Sequence, residues 1–182
     1  MLPWPDAARE VSEGNVSGFR IQVDRETVTL PNGRSVELDI VHHPGASAVV
    51  PFVSDDEVLL IRQNRHAAGG YILEVPAGKL DPGDTPDACA RRELEEEAGM
   101  RAGRLTSLGS IFTTPGFTDE VIHLYAAFDL SEVGTRHETD EVIEVLRVTL
   151  AEALALVWDG ELRDAKSALA LVHAARQVGR LR

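Results

Sequence analysis

Cysteine is almost missing from this chain: Cys89 is the single one in 182 residues. A lone thiol closes no internal disulfide and builds no cysteine-rich zinc site, which excludes a stapled secreted framework and dithiol redox chemistry. No apolar run approaches the roughly 18 residues that a spanning helix requires. The opening MLPWPDAARE has neither the basic flank nor the long apolar stretch that directs secretion. These absences place the chain in the cytoplasm, with no membrane partner. Basic charge is also in deficit, 18 residues against 30 acidic ones for a formal net charge of −12. A surface of that sign repels a phosphate backbone, so a nucleic acid polymer is excluded as partner. A small phosphorylated ligand stays open, because a divalent cation held by some of the carboxylates inverts the local field.

What remains is the composition of one ordinary domain, 43% hydrophobic and 26% charged. Residues Gly18 to Leu30 and Arg34 to His42 alternate apolar and polar positions around Pro31, Asn32 and Gly33, which predicts a β-hairpin. It forms an N-terminal arm over residues 1–43, ahead of a main domain over 44–182. Ala46 to Val53 and Glu57 to Arg62 read as a second, more buried hairpin, and Tyr71 to Val75 as a strand that stops at Pro76. From Asp84 to Ala98 the period becomes helical, with Thr85 as cap, Pro86 at the first position and Gly99 as stop. Ala90, Leu94 and Ala98 give that helix a narrow apolar face and leave an acidic side opposite. Strands follow over Arg104 to Phe112, Glu120 to Asp129 and Glu144 to Thr149, and helices over Ala151 to Val157 and Asp164 to Val178. Strands outnumber helices without regular alternation, which points to an α+β domain with a mixed sheet. No Walker loop, G-x-G-x-x-G or G-x-S-x-G pattern is present.

The chemistry-bearing stretch is GKLDPGDTPDACARRELEEEAGM, Gly78 to Met100. Glu93 and Glu97 stand one helical turn apart with Glu96 beside them, so three like charges crowd one side of a helix. An acidic run taken alone reads as a solvated face. A cation bound between the carboxylates offers the other reading, and an all-oxygen donor set selects a hard ion, Mg²⁺ or Mn²⁺.

Spacing decides between them. The stretch resembles the Nudix box, G-x5-E-x7-R-E-U-x-E-E-x-G-U with U a bulky apolar residue. Gly78, Arg92, Glu93, Leu94, Glu96, Glu97, Gly99 and Met100 fill eight of its nine fixed positions, and Asp84 stands where the family has Glu. The resemblance implies a Nudix-type α/β/α sandwich and a metal-assisted attack of water on the diphosphate of a nucleoside diphosphate derivative. It implies Glu93, Glu96 and Glu97 as metal ligands with the carbonyl of Ala77, and Arg92 as the residue that orients the glutamates. In the acidic run HETDEVIEV, Glu141 matches a position that completes the metal site in some relatives. The position of the relatives' candidate base falls on Thr139, which leaves Glu138 or Asp140 as substitute, or the box glutamates acting unaided. The same run also reads as an acidic solvent loop.

Two further patches, LEVPAGKL over Leu73 to Leu80 and TTPGFTDE over Thr113 to Glu120, resemble the ADP-ribose pyrophosphatase branch. That resemblance implies substrate contacts from Arg65, Lys79, Thr114, Pro115, Gly116, Phe117, Asp119 and Glu120. It further implies a homodimer that exchanges the N-terminal hairpin. Bland readings stand beside these: Pro115-Gly116 as a plain turn, Arg65 as a surface residue, Phe117 as core filling, Asp119 bonded to local backbone. The expected reaction is Mg²⁺-dependent cleavage of ADP-ribose to AMP and ribose 5-phosphate. The alternatives are another diphosphate (FAD, NADH, a dinucleoside polyphosphate or a different nucleotide sugar) and a nucleotide-sensing module with weak activity.

Overall fold

The computed structural model describes residues 22–137 and 142–181. Alternating residues form β1 (Gln22–Thr29) and β2 (Ser35–His42), which pair antiparallel from Gln22↔His42 to Thr29↔Ser35. This hairpin is a two-stranded sheet of its own, and the start expected at Gly18 lies outside the described residues. It joins the body through backbone bonds, Val41 N–H to the Phe117 carbonyl at 2.8 Å and Asp119 N–H to the Val41 carbonyl at 3.3 Å.

The body contains β3 (Ala46–Pro51), β4 (Glu57–Arg65), β5 (Gly70–Glu74), β6 (Ala77–Lys79), α1 (Pro86–Ala98), β7 (Met100–Phe112), β8 (Val121–Glu132), β9 (Ile143–Thr149), α2 (Leu150–Trp158) and α3 (Ala165–Gln177). The expected hairpin of β3 with β4 does not form. β3 lies inside a four-stranded sheet in the order β6-β3-β8-β7, and β4 lies inside a three-stranded sheet in the order β5-β4-β9. Between them stand an isolated bridge, Phe52↔Val58, and a turn in which Val53 N–H donates to the Glu57 carbonyl at 3.0 Å. The physical reason is burial: all six residues of β3 are buried, so the strand needs neighbours on both edges and layers on both faces. It takes β8 in parallel and β6 antiparallel. The three residues of β6, Ala77, Gly78 and Lys79, carry no β-branched or aromatic signal, which is why the sequence shows no strand there.

Alternation along β3 splits the core. Val49 faces α1 with Leu59, Ala90 and Leu94, whereas Ala48 and Val50 face α2 and α3 with Leu124, Ala170, Leu171 and Ala174. Helices on both faces of the mixed sheet make the α/β/α sandwich of an α+β domain. Each helix starts on a side-chain cap. Thr85 Oγ1 accepts from Ala88 N–H on α1, Thr149 and Glu152 form a reciprocal capping box on α2, and Asp164 accepts from Ser167 N–H on α3. α1 stops at Gly99, whose φ of +66° few L residues adopt. A Cβ there would also lie 3.0 Å from the backbone of Gly134.

One long-range bond ties the last helix to the strand connection that leads to the box. Ser167 is fully buried on α3, and its Oγ accepts from Val75 N–H at 2.8 Å. Ser167→Ala strips that buried N–H of its partner and should cost about 1–3 kcal/mol in urea unfolding. A loss below about 0.5 kcal/mol, the range of a neutral surface change, would mean that the N–H finds another acceptor.

Candidate active site

α1 does not keep its acids on a solvated side. Glu93 and Glu97 are 8% and 2% exposed, buried beside Ala90 and Leu94. The cover is β6, which has no counterpart in the periodicity of α1. Glu97 Oε2 accepts from Ala77 N–H at 2.8 Å. Glu93 lies against Gly78 so closely that a Cβ on that glycine would come within 2.0 Å of Glu93 Oε1. Glycine at this place is therefore the cradle of a carboxylate.

Arg92 supplies the countercharge. Its Nη1 donates to Glu93 Oε1 at 2.6 Å and Glu96 Oε2 at 3.3 Å, and its Nη2 to the Lys79 carbonyl at 2.9 Å and Asp84 Oδ2 at 3.3 Å. Asp84 thus keeps the link to Arg92 despite being one methylene shorter than Glu, and also accepts from Asp81 N–H at 3.2 Å. Burial opposes the charge of Arg92, yet Glu93 and Asp84 hold its pKa above the ordinary guanidinium value. Cys89 faces the Gly78 and Lys79 carbonyls at 3.4 and 3.3 Å, and burial, reinforced by Glu93, pushes its thiol up to about 11. That is an inert buried thiol.

Ala77, Gly78, Arg92, Glu93, Glu96 and Glu97 line a groove of about 1110 Å³ that also receives Arg65, Lys79, Thr114 and Glu120. Pro115, Gly116, Phe117 and Asp119 are outside its lining. The Pro115-Gly116 pair sits in a turn in which Phe117 and Thr118 N–H both donate to the Thr114 carbonyl. Phe117 is 51% exposed and does not fill the core. Asp119 is engaged by the arm: Oδ2 meets His42 Nδ1 at 2.7 Å and Oδ1 accepts from His43 N–H at 2.8 Å. Glu138 and Glu141 lie outside the described residues. Among the described residues no three His, Cys, Asp or Glu side chains stand grouped closely enough to hold a metal ion. The donors that fit one are the two buried carboxylates, oxygen only, beside the Ala77 backbone. That is the chemistry of a hard divalent cation.

Beside Arg65 stand residues that the sequence reading passed over. Glu74 is 1% exposed and forks with Arg65, whose Nε and Nη2 donate to its two oxygens at 2.8 and 3.0 Å. Lys166 Nζ donates to the same carboxylate at 2.7 Å and to Asp164 at 2.9 Å. Arg65 is accordingly a fixed groove residue rather than a loose surface one. Ninety-two positions separate Glu74 from Lys166. A single lysine after a helix cap gives no sign of that contact; the unpaired Glu in the run LEVPAGKL was the available clue.

Burial would raise the Glu74 carboxyl, but the hydrogen bond from Arg65 and the charge of Lys166 overcome it and hold the group below its ordinary 4.5. A carboxyl depressed by folding contributes stability that is complete above the ordinary value and lost as pH falls through the lower folded value. Glu74→Gln should lose about 3 kcal/mol at neutral pH, the lower end for a broken buried pair because Arg65 is partly exposed. In urea unfolding across pH, its gap to wild type should be flat at neutral pH and close below 4.5. A gap independent of pH would remove the ionic account of this cluster.

The fold and groove can now be set beside known proteins. A family model described as NUDIX domain matches residues 41–170. The chain is 43% identical to an ADP-ribose pyrophosphatase of Bacillus subtilis (strain 168) over 159 residues, 86% of each chain. It is 38% identical to a methanol dehydrogenase activator of Bacillus methanolicus, again over 86% of each. A crystal structure of an ADP compounds hydrolase superposes with a TM-score of 0.74 at 25% identity, covering 92% of this chain and all of the other. The matched residues run from the end of β2 into α3 and so include the four-stranded and three-stranded sheets, the box and the lining of the groove; the chain belongs to the Nudix family.

Proposed function

We propose that this Nudix hydrolase cleaves the diphosphate of ADP-ribose with Mg²⁺, Mn²⁺ being the substitute, to give AMP and ribose 5-phosphate. The observation that carries this reading is the charge layout of the groove. Two buried carboxylates, Glu93 and Glu97, share the groove with two cations, Arg65 and Lys166, that are held by Glu74. That arrangement suits a diphosphate bridging a divalent cation and a pair of basic side chains. The substrate follows from the names of the similar enzymes, an ADP-ribose pyrophosphatase and an ADP compounds hydrolase.

Glu93, Glu97 and the Ala77 carbonyl would hold the cation, with Glu96 as a further carboxylate and Glu141 as a ligand from the acidic run. A bound divalent cation neutralises phosphate charge and makes a coordinated water more acidic. Arg92 keeps Glu93 and Glu96 in place through the bonds already described. Arg65 and Lys166 meet the phosphate oxygens, while Lys79, Thr114 and Glu120 face the remainder of the nucleotide. Glu138 takes the proton from the attacking water, whose oxygen joins one phosphorus as the bridging P–O bond breaks. Sequence resemblance alone supports the roles of Glu138 and Glu141, and likewise those of Pro115, Gly116, Phe117 and Asp119. It also supports a cytoplasmic homodimer built through the arm over residues 1–43, on which Val23 and Leu38 are exposed at 57% and 39%.

AMP release from ADP-ribose should require Mg²⁺, stop with EDTA, and exceed release from FAD, NADH, a dinucleoside polyphosphate and a nucleotide sugar. Faster cleavage of another diphosphate would overturn the substrate and keep the chemistry, whereas ADP-ribose binding without turnover of any compound would leave a sensing module. Glu97→Gln should lower turnover by about a hundredfold or more with the fold retained. Near-normal turnover in that variant would end the metal assignment.

A further inference from the structure

Two buried side-chain polar atoms among the described residues have no hydrogen-bond partner, Gln63 Oε1 and Arg92 Nε, and both residues border the active groove. Arg92 is committed through its other nitrogens. Gln63 has no role in anything described so far. It is 3% exposed on β4, and alternation along that strand turns it the same way as Arg65 and as Leu59, which packs against Ala90 and Leu94 of α1. Gln63, Arg65, Glu93 and Glu97 all line the groove.

A buried amide without a partner is costly, and a methionine or leucine would fill similar volume at no such cost. An amide oxygen accepts and does not donate. The missing element is a donor. We propose that Gln63 Oε1 accepts a hydrogen bond from a water carried by the divalent cation at Glu93 and Glu97, which makes Gln63 a positioning residue for the cation's hydration sphere. This rests on the cation reading given above. A cation-bound water is a strong donor, and such outer contacts tune both metal affinity and the orientation of the water.

The test is Mn²⁺ binding to the full chain, followed by the electron paramagnetic resonance of free Mn²⁺, with Tm measured in parallel without metal. Gln63→Met should bind Mn²⁺ about tenfold more weakly, while its metal-free Tm equals or exceeds that of wild type. Unchanged affinity with a raised Tm would overturn the proposal and leave Gln63 as a tolerated packing defect. Glu97→Gln serves as the control: if it too binds Mn²⁺ as wild type does, the cation reading fails rather than the role of Gln63 alone. Should the methionine variant not fold, Gln63→Glu replaces it, because a carboxylate still accepts from the water. Mn²⁺ should then raise Tm by more than it does in wild type, and a rise no larger than the wild-type one would overturn the proposal.

Discussion

Negative charge on one face of α1 has to be compensated, and most of the neighbourhood is arranged around that need. Glu93 and Glu97 sit one turn apart and are nearly closed off from water. Ionised groups in such a place persist only with partners. Arg92 meets Glu93, Glu96 and Asp84 with one guanidinium, the Ala77 N–H meets Glu97, and the absence of a side chain on Gly78 makes room for the Glu93 carboxylate. Each residue is short of a specific alternative: Lys at 92 lacks the fork, and any side chain at 78 occupies the carboxylate's position.

A second buried carboxylate obeys the same logic. It is Glu74, which organises two cations drawn from β4 and α3. The groove thus brings buried carboxylates and held cations together although the chain as a whole is strongly acidic. Net charge sets the long-range field and carries no information about this local pairing.

The helix α1, its caps and the box residues were legible because their signals are local: a cap, a period and a fixed spacing within 23 residues. The burial of Glu93 and Glu97 was not, since the cover comes from β6, a strand too short and too small in its side chains to announce itself. The apparent hairpin of β3 and β4 fails for a related reason. Two apolar runs with a short turn between them look alike whether they pair with each other or each take a place in a different sheet, and only the burial of β3 on both faces decides. Arg65 was found through its resemblance to a family position, whereas Lys166 and Gln63 required the fold, because their meaning lies in contacts across the chain.

The hydrogen bond between Ser167 and Val75 has a bearing on how the protein is made. During synthesis the box leaves the ribosome with β3 to β6 and α1, ahead of five further elements, β7, β8, β9, α2 and α3. The acceptor for Val75 and the ammonium of Lys166 emerge only with α3, after every other described element. A nascent chain that already contains every glutamate of the box therefore still lacks one wall of the groove. The wall that α3 contributes is thus the last part of the groove to be completed among the described elements.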